Sequence, residues 1–285
     1  MVGELRDSQY SKRIRNYKDV LKDLIPEEVL KLIPRSYDIV GDTALINLPK
    51  ELMGYGREVG EAILRVNKNV KSVYAVGATS GDFRVRELTH LAGEDKTTTI
   101  HKEYGIRIYV DLKSAYYNPS LSEERRRIAE KVLEGDSVLD LFAGVGPFTL
   151  HIACTKKASI LANDLNPYAV ECLRKSLGLN IKSLKGIVNV VNGDASEVLN
   201  ALRKNTFNKA ILNLPHRSIQ YLPKTYEVLK DGGTIYTYVV ASNEEEATKE
   251  VENALTEVKY VIREKIKVLD YAPHKYIFRV EVIKT

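Results

Sequence analysis

Three aspartates and one asparagine stand where apolar runs of this chain give out: Asp140 after Ser-Val-Leu, Asp164 after Ile-Leu-Ala-Asn, Asp194 after Val-Val-Asn-Gly, and Asn213 after Ala-Ile-Leu. A polar residue at the carboxyl end of a buried parallel strand faces whatever binds at that edge of the sheet. Asp140 runs directly into Leu-Phe-Ala-Gly-Val-Gly, in which Gly144 and Gly146, flanking Ala143 and Val145, let the backbone approach a ligand without a Cβ in the way. Phe142 and Phe148 would wall the pocket. The spacing lacks the third glycine of the dinucleotide fingerprint, and Asp140 would repel a pyrophosphate, so the loop suits the cationic end of a ligand. Asp164, 24 residues beyond Asp140, is placed to accept hydrogen bonds from a ribose diol. Asp194 and the amide of Ala195 are placed to read an adenine amino edge. Singly, Asp164 has a lesser reading as a helix cap and Asp194 one as Asn-Gly-Asp turn chemistry; the series at successive strand ends is the signal. Asn213-Leu214-Pro215 fixes an amide and backbone carbonyls towards a planar nitrogenous target.

Upstream, Glu124 and Arg125 open a helical stretch. A carboxylate beside a group donor can act as the base for a ring N–H, and an Arg next to it can hold it ionised or grip an anion. With Arg126 and Arg127 following, a solvated face is an equal reading. In Gly-Asp-Phe-Arg-Val-Arg-Glu-Leu, Arg84 and Arg86 fall on one side of an extended stretch, able to bind a phosphate or base carbonyl or to pair with Asp82 and Glu87.

The elements that must position these groups alternate. Strand patterns occupy 137–141, 159–163, 187–192, 209–212, 234–240, 261–271 and 275–284, with helical patterns near 147–154, 167–177, 195–202 and 223–228, and a helix over 243–255. Such alternation predicts an α/β fold with a parallel sheet covered on both faces, closing in an antiparallel hairpin. Residues 1–136 differ: a basic segment 1–25, then an α+β domain over 26–117, and a linking helix over 118–136 that leads into the sheet domain 137–285. In the α+β domain, short extended runs at 37–48, 70–76, 97–101 and 106–110 accompany a helix over 58–66.

Composition bounds the rest. The 285 residues, 44% hydrophobic and 28% charged, read as a globular protein able to bury more than one core. No apolar run is long enough to span a bilayer and the amino end has no signal-peptide pattern, so cytoplasmic residence is the expectation. Cys154 and Cys172 cannot make a metal site by themselves, and no metal is expected. The net charge of +5 is compatible with a nucleic-acid partner.

A D-x-F-x-G-x-G loop resembles that of S-adenosylmethionine-dependent methyltransferases, and the longer pattern is narrower still. PRSYDIVGDTALINLP (34–49), GEAIL (60–64), GDFRVREL (81–88), LAGEDKTTTIHKEYG (91–105), NPSLSEER (118–125), DLFAGVGPF (140–148), NDLNP (163–167), GDA (193–195) and NLPH (213–216) resemble, over roughly 20–285, the archaeal and eukaryotic tRNA (guanine-37) N1-methyltransferases and their wyosine-pathway relatives. The resemblance implies a Rossmann-like class I methyltransferase sheet with an amino-terminal mixed α+β domain, acting as a monomer on the anticodon loop of tRNA. It implies Glu124 as the base that removes the guanine N1 proton, Arg84 as partner of O6, and Asn213 at the exocyclic amino group, with Pro215 and His216 beside the base. The cofactor set it implies is Tyr116, Arg125, Asp140, Phe142, Ala143, Gly144, Gly146, Asp164, Leu165, Asp194, Ala195 and Asn213. Basic residues of 1–136 would track tRNA phosphates, and the target base must flip out of its loop.

Two departures stand out. Family members carry a further amino-terminal domain that grips the tRNA elbow, for which only the basic 1–25 segment could substitute. Ser120 replaces the Arg of the family's Asn-Pro-Arg-Leu. Rival readings are methylation of C7 of 4-demethylwyosine at position 37, alone or alongside N1 transfer, and aminocarboxypropyl transfer, against which Pro119 and Asn213-Leu214-Pro215 speak. A non-catalytic RNA-binding module would not need the intact acidic series, and a small-molecule methyltransferase would not need residues 1–136 in this form.

Overall fold

The computed structural model describes residues 16–81 and 85–285; Arg84 and most of the basic 1–25 segment lie outside the described residues. Two compact units are present. The first comprises the described part of 1–79 together with Arg86–Thr97, and the second comprises 80–85 and Thr98–Thr285.

In the first unit, α1 (Tyr17–Leu21) and α2 (Glu27–Leu32) precede β1 (Asp38–Val40) and β2 (Thr43–Ile46). Then follow α3 (Gly56–Val66), β3 (Ser72–Ser80) and β4 (Val85–Gly93), and the sheet order is β1-β2-β3-β4. β1 and β2 form an antiparallel pair, whereas β2 and β3 run parallel with α3 as the crossover. Val59, Ala62 and Ile63 recur at helical spacing on α3 and bury against Ala44, Ile46, Val73 and Ala75 of the sheet. Strand β4 opens on Val85-Arg86-Glu87-Leu88, where the sequence showed an extended stretch.

The second unit begins with a hairpin of β5 (Thr98–Glu103) and β6 (Ile106–Asp111), turning at Tyr104-Gly105. The boundary expected after residue 117 thus falls after residue 97. The hairpin is tied to the remainder of the unit: the Tyr109 amide donates to Ser176 Oγ at 2.9 Å, and Asn180 bonds both the N–H and the carbonyl of Arg107 at 3.0 and 2.6 Å. Thereafter come α4 (Ser122–Lys131), β7 (Ser137–Asp140), α5 (Pro147–Thr155), β8 (Ser159–Asp164), α6 (Pro167–Leu179), β9 (Ile187–Asn192) and α7 (Ala195–Ala201). The chain finishes with β10 (Phe207–Leu212), α8 (Leu222–Val228), β11 (Leu229–Ala241), α9 (Glu244–Ala254), β12 (Tyr260–Ala272) and β13 (Lys275–Lys284).

These strands form one seven-stranded sheet, ordered β12-β13-β11-β10-β7-β8-β9. It is parallel from β11 to β9, and β13 and β12 add antiparallel. Strand alternation sorts the side chains between two faces. Leu139, Leu141, Ala210, Leu212, Ile235 and Val239 join Leu199, Leu222 and Val251 of α7, α8 and α9 on one face. Val138, Ile160, Ile211, Tyr236 and Tyr238 join Ile128 of α4 and Phe148 and Ile152 of α5 on the other.

α5 starts at Gly146, held at a left-handed φ of 81° with Pro147 following. A Cβ there would stand 2.1 Å from Leu173 Cδ1 on α6, so helix packing by itself demands a glycine here. Gly146→Ala combines left-handed backbone with overpacking and should lower the unfolding free energy by roughly 2–5 kcal/mol, read from denaturant melts.

Glu103 of β5 is fully buried among charge partners: Arg125 and Tyr117 bond one carboxylate oxygen, and His151 Nε2 meets the other at 2.8 Å. Burial pushes its pKa up, but the His151 hydrogen bond and the Arg125 charge outweigh it and hold the carboxyl below its ordinary range. A depressed carboxylate stabilises the fold above its unfolded pKa, about 4.3, and that stability is lost as pH falls through the depressed value. Glu103→Gln strands Arg125 in the core and should cost about 3–5 kcal/mol at pH 7. The gap between variant and wild type should narrow in melts at acid pH; a gap that widens on acidification contradicts the pairing.

Candidate active site

The carboxyl ends of β10, β7, β8 and β9 lie side by side, so Asn213, Asp140, Asp164 and Asp194 make one row in that order. From β7 the chain continues to β8 and β9 on one side and returns to β10 on the other. Such a switch point opens a crevice where ligands of this sheet type bind.

The loop after β7 is held open from below. Gly144, at φ 57°, donates its N–H to Asp164 Oδ2 at 2.7 Å, and the Asn166 amide donates to Oδ1 at 2.9 Å. Each carboxylate oxygen keeps a second lone pair for a ligand hydroxyl. Burial raises the pKa of Asp164, against the pull of these two amides. A Cβ built on Gly144 meets nothing within 4 Å, so the turn is open on that side. Asp140 is completely buried; its Oδ2 accepts from Thr149 Oγ1 at 2.7 Å, while Oδ1 has no hydrogen-bond partner. Burial pushes its pKa up to about 7, the Thr149 bond opposing and the Asp164 charge adding. An orphaned acidic oxygen beside an open glycine turn fits a ligand carrying an ammonium group.

Asn163, one residue before Asp164, escaped the sequence reading. Its buried amide donates to the carbonyls of Leu141 and Gly193, at 3.2 and 3.1 Å, and so clamps the loops after β7 and β9 to the end of β8. Asp194 caps α7, with Oδ1 accepting from the Ser196 and Glu197 amides at 2.8 and 3.3 Å. Local turn chemistry thus occupies Oδ1, as a helix cap, and no described residue bonds Oδ2. Ala195 follows, buried, and Leu165 stands 46% exposed at the same edge, an apolar surface facing outward. Ala143 is buried with its amide on the Asn163 carbonyl, and Phe142 packs edge-on to Tyr221 at 5.0 Å. Tyr116 is partly buried.

Glu124 and the turn after β10 are brought together by β11. The Glu124 carboxylate, 5% exposed, takes the Tyr238 hydroxyl at 2.8 Å and Arg279 Nη1 at 2.6 Å, both on Oε1. Ser218 donates to the Tyr238 carbonyl at 2.6 Å, and the Val240 amide donates to the Pro215 carbonyl at 3.1 Å. Base candidate and Asn-Leu-Pro turn are thus fastened within two residues of one strand. Asn213 is partly buried and Pro215 buried, while exposed His216 meets Tyr271 edge-on at 4.9 Å. Tyr238 and Arg279 were missed from sequence, although Arg279-Val280-Glu281 puts two charges on one face of an otherwise apolar terminal strand.

Arg125 departs from its expected cofactor contact. It is 2% exposed, with Nη1 on Glu103 and Nη2 on the Asn118 carbonyl at 2.7 Å, so its guanidinium belongs to the structural network under α4. Exposed Ser120, where an Arg was expected, gives only its amide to Asn118 Oδ1 at 2.9 Å. A cavity of about 510 Å³ bordered by Tyr104, Arg126, His151 and Cys154 contains none of the acidic row. Among the described residues no group of three His, Cys, Asp or Glu is arranged to hold a metal, and no helix is long and apolar enough to cross a membrane.

Comparison with known proteins gives this site a family. Residues 99–265 match the TRM5/TYW2 methyltransferase domain, and residues 17–97 match the TYW2 N-terminal domain. The tRNA (guanine(37)-N(1))-methyltransferase Trm5b of Pyrococcus abyssi is 36% identical over 283 residues, covering 96% of this chain and 82% of the relative. The tRNA(Phe) (4-demethylwyosine(37)-C(7)) aminocarboxypropyltransferase of Pyrococcus horikoshii is 30% identical over 220 residues, covering 77% and 76%. The solved complex of aTrm5 and tRNALeu superposes with a TM-score of 0.84 at 32% identity, over 99% of this chain and 83% of that one. The chain therefore belongs to the TRM5/TYW2 methyltransferase family, as an enzyme that takes its methyl group from S-adenosylmethionine.

Proposed function

We propose that this enzyme methylates N1 of guanine 37 in tRNA, with Glu124 as the base. The observation that carries the reading is the fastening of Glu124 and the Asn213–Pro215 turn to one stretch of β11, next to the row of acidic strand ends. The activity named for the Pyrococcus abyssi relative, and the tRNA in the aTrm5 complex, support the same substrate.

S-adenosylmethionine supplies an electrophilic methyl group. The chain's part is to hold donor and acceptor in line. Asp140 would receive the ammonium of the methionine end, Asp164 the ribose hydroxyls, and Asp194 with the Ala195 amide the adenine edge, with Leu165 in the same set. Phe142, Ala143 and Gly144 line the loop, and Tyr116 is assigned to the same cofactor set by resemblance. The flipped guanine lies against Pro215 and His216, its exocyclic amino group on the Asn213 amide oxygen. Arg84 is assigned to O6 by its place in the Gly-Asp-Phe-Arg motif. Negative charge grows at O6 as the N1 proton leaves, so a cation there and a carboxylate at N1 lower the same barrier. Basic residues of 1–136 follow the RNA backbone.

Glu124→Gln should reduce single-turnover methyl transfer to guanosine-37 tRNA by roughly 10²–10⁴ while leaving S-adenosylmethionine binding intact, and Asn213→Ala should be similarly impaired. Retained transfer by Glu124→Gln defeats the base assignment. Nucleoside analysis of the product separates the reactions: 1-methylguanosine is expected from unmodified tRNA. A modified wyosine base formed only from 4-demethylwyosine tRNA points to the carbon-directed relatives instead.

Contact between Asp140 and an ammonium requires the carboxylate form. Calorimetric binding of S-adenosylmethionine should therefore tighten as pH rises from about 6 to 7.5 through the raised pKa of about 7. Asp140→Asn should bind more weakly and lose that slope. A slope unchanged in the variant removes Asp140 from the ammonium site.

A further inference from the structure

Helix α4 and the last strands meet through a stripe of charge. Glu124, Ile128 and Lys131 share one face of α4 by their spacing. Tyr238 and Arg279 are direct cross-strand partners, as are Tyr236 and Glu281, so all four side chains point to the same face of the sheet. From Glu124 the contacts run outward in alternating sign. Arg279 Nη1 bonds Glu124, its Nη2 bonds Glu264 Oε2, and Lys131 Nζ joins Glu264 at 2.5 Å to Glu281 at 2.6 Å. Arg279 is 1% exposed and Tyr238 is fully buried. Two donors therefore converge on one oxygen of Glu124, and no described residue bonds the other.

We infer that Arg279 and Tyr238 are positioning residues that make Glu124 a one-ended base, fixing Oε1 so that Oε2 alone is presented to the acceptor proton. This rests on the proposed role of Glu124. In the step, the guanine N1–H bond breaks and its proton passes to Oε2. The electron pair left on N1 forms the bond to the methyl carbon, whose former bonding pair stays on sulfur.

The outer charges matter once the proton has moved. With Glu124 neutral, Arg279 would be a lone cation in the core, a costly state. Glu264 still faces Nη2, so the guanidinium keeps an anionic partner through the proton transfer. A Lys at 279 would lack the fork that reaches both carboxylates at once. The other titratable groups near Glu124 are already engaged. Arg125 of α4 and His151 of α5 face Glu103 of β5, Lys131 faces Glu264 and Glu281, and Arg263 of β12 lies 3.9 Å from Glu281. Tyr238 and Arg279 are thus the groups that hold this carboxylate.

The test is the pH–rate profile of single-turnover methyl transfer for wild type, Tyr238→Phe, Arg279→Lys and Glu124→Gln, with cofactor affinity and melting measured alongside. Tyr238→Phe removes one donor to the charged form. Its acid limb should move up by about one pH unit, so the loss is largest at the acid end and fades as pH rises, with cofactor affinity unchanged. Arg279→Lys should shift further in the same direction and fall in the rate of transfer rather than in cofactor affinity. A Tyr238→Phe profile that overlays wild type, or a loss equal at every pH, overturns the inference. Inactive Glu124→Gln with an unshifted Tyr238→Phe refutes the positioning role alone. Active Glu124→Gln refutes the base on which it rests.

Discussion

Two adjacent, oppositely charged residues at the start of α4 are both buried, and neither neutralises the other. A helix turns by about 100° per residue, so Glu124 and Arg125 leave α4 in different directions. An unpaired charge in a protein interior is costly, so each direction must supply a partner of its own. Glu124 finds Arg279 and Tyr238 on the terminal strands; Arg125 finds Glu103 on β5, which in turn holds His151 of α5. One dipeptide thereby locks the β5–β6 hairpin, α5 and the β11–β13 edge around a single helix. It also makes the geometry of the Glu124 carboxylate depend on strands at the far edge of the sheet.

On the other side of the crevice the logic is reversed. The acids there are left short of partners rather than supplied with them. Asp140 is buried with one oxygen unbonded, and Asp164 receives only backbone amides. Their raised pKa values record an environment that disfavours their charge until something positive or rich in hydroxyl donors arrives. The two halves are rigidly related because the sheet joins them: Asp140 lies at the end of β7, whose neighbour β10 delivers Asn213, and β10 pairs with β11, which carries Tyr238. Preorganisation is built from strand register, which side-chain flexibility cannot loosen.

How much of this could be read from the chain followed from how local each signal was. Strand ends marked by acids, the glycine turn and the alternation that builds the sheet are short-range patterns, and the seven strands of the second unit's large sheet lie where apolar runs placed them. Partners distant in sequence were not readable. Arg279 sits 155 residues from Glu124, and nothing near either residue names the other. Arg125 looked like an anion grip because its true partner, Glu103, lies in a different hairpin 22 residues earlier. The packing role of Gly146 was hidden because its clash with Leu173 exists only when α5 and α6 pack. The boundary at residue 97 was hidden for the same reason, since the β5–β6 hairpin is bound to the second unit through Ser176 on α6 and Asn180 at its end.

The placement of Glu124 also bears on which atom accepts the methyl group. A ring nitrogen that carries a proton is a poor nucleophile until that proton begins to leave, so a base must act before or during transfer. An electron-rich ring carbon attacks first and sheds its proton afterwards, when the ring is already cationic and a weak base such as water suffices. A carboxylate with one oxygen held by a buried guanidinium and a tyrosine hydroxyl suits the first requirement and exceeds the second. Building it demands charged and polar partners drawn from four elements, α4, β11, β12 and β13. That desolvation cost is intelligible when proton removal is part of the barrier, and this weighs the site towards nitrogen.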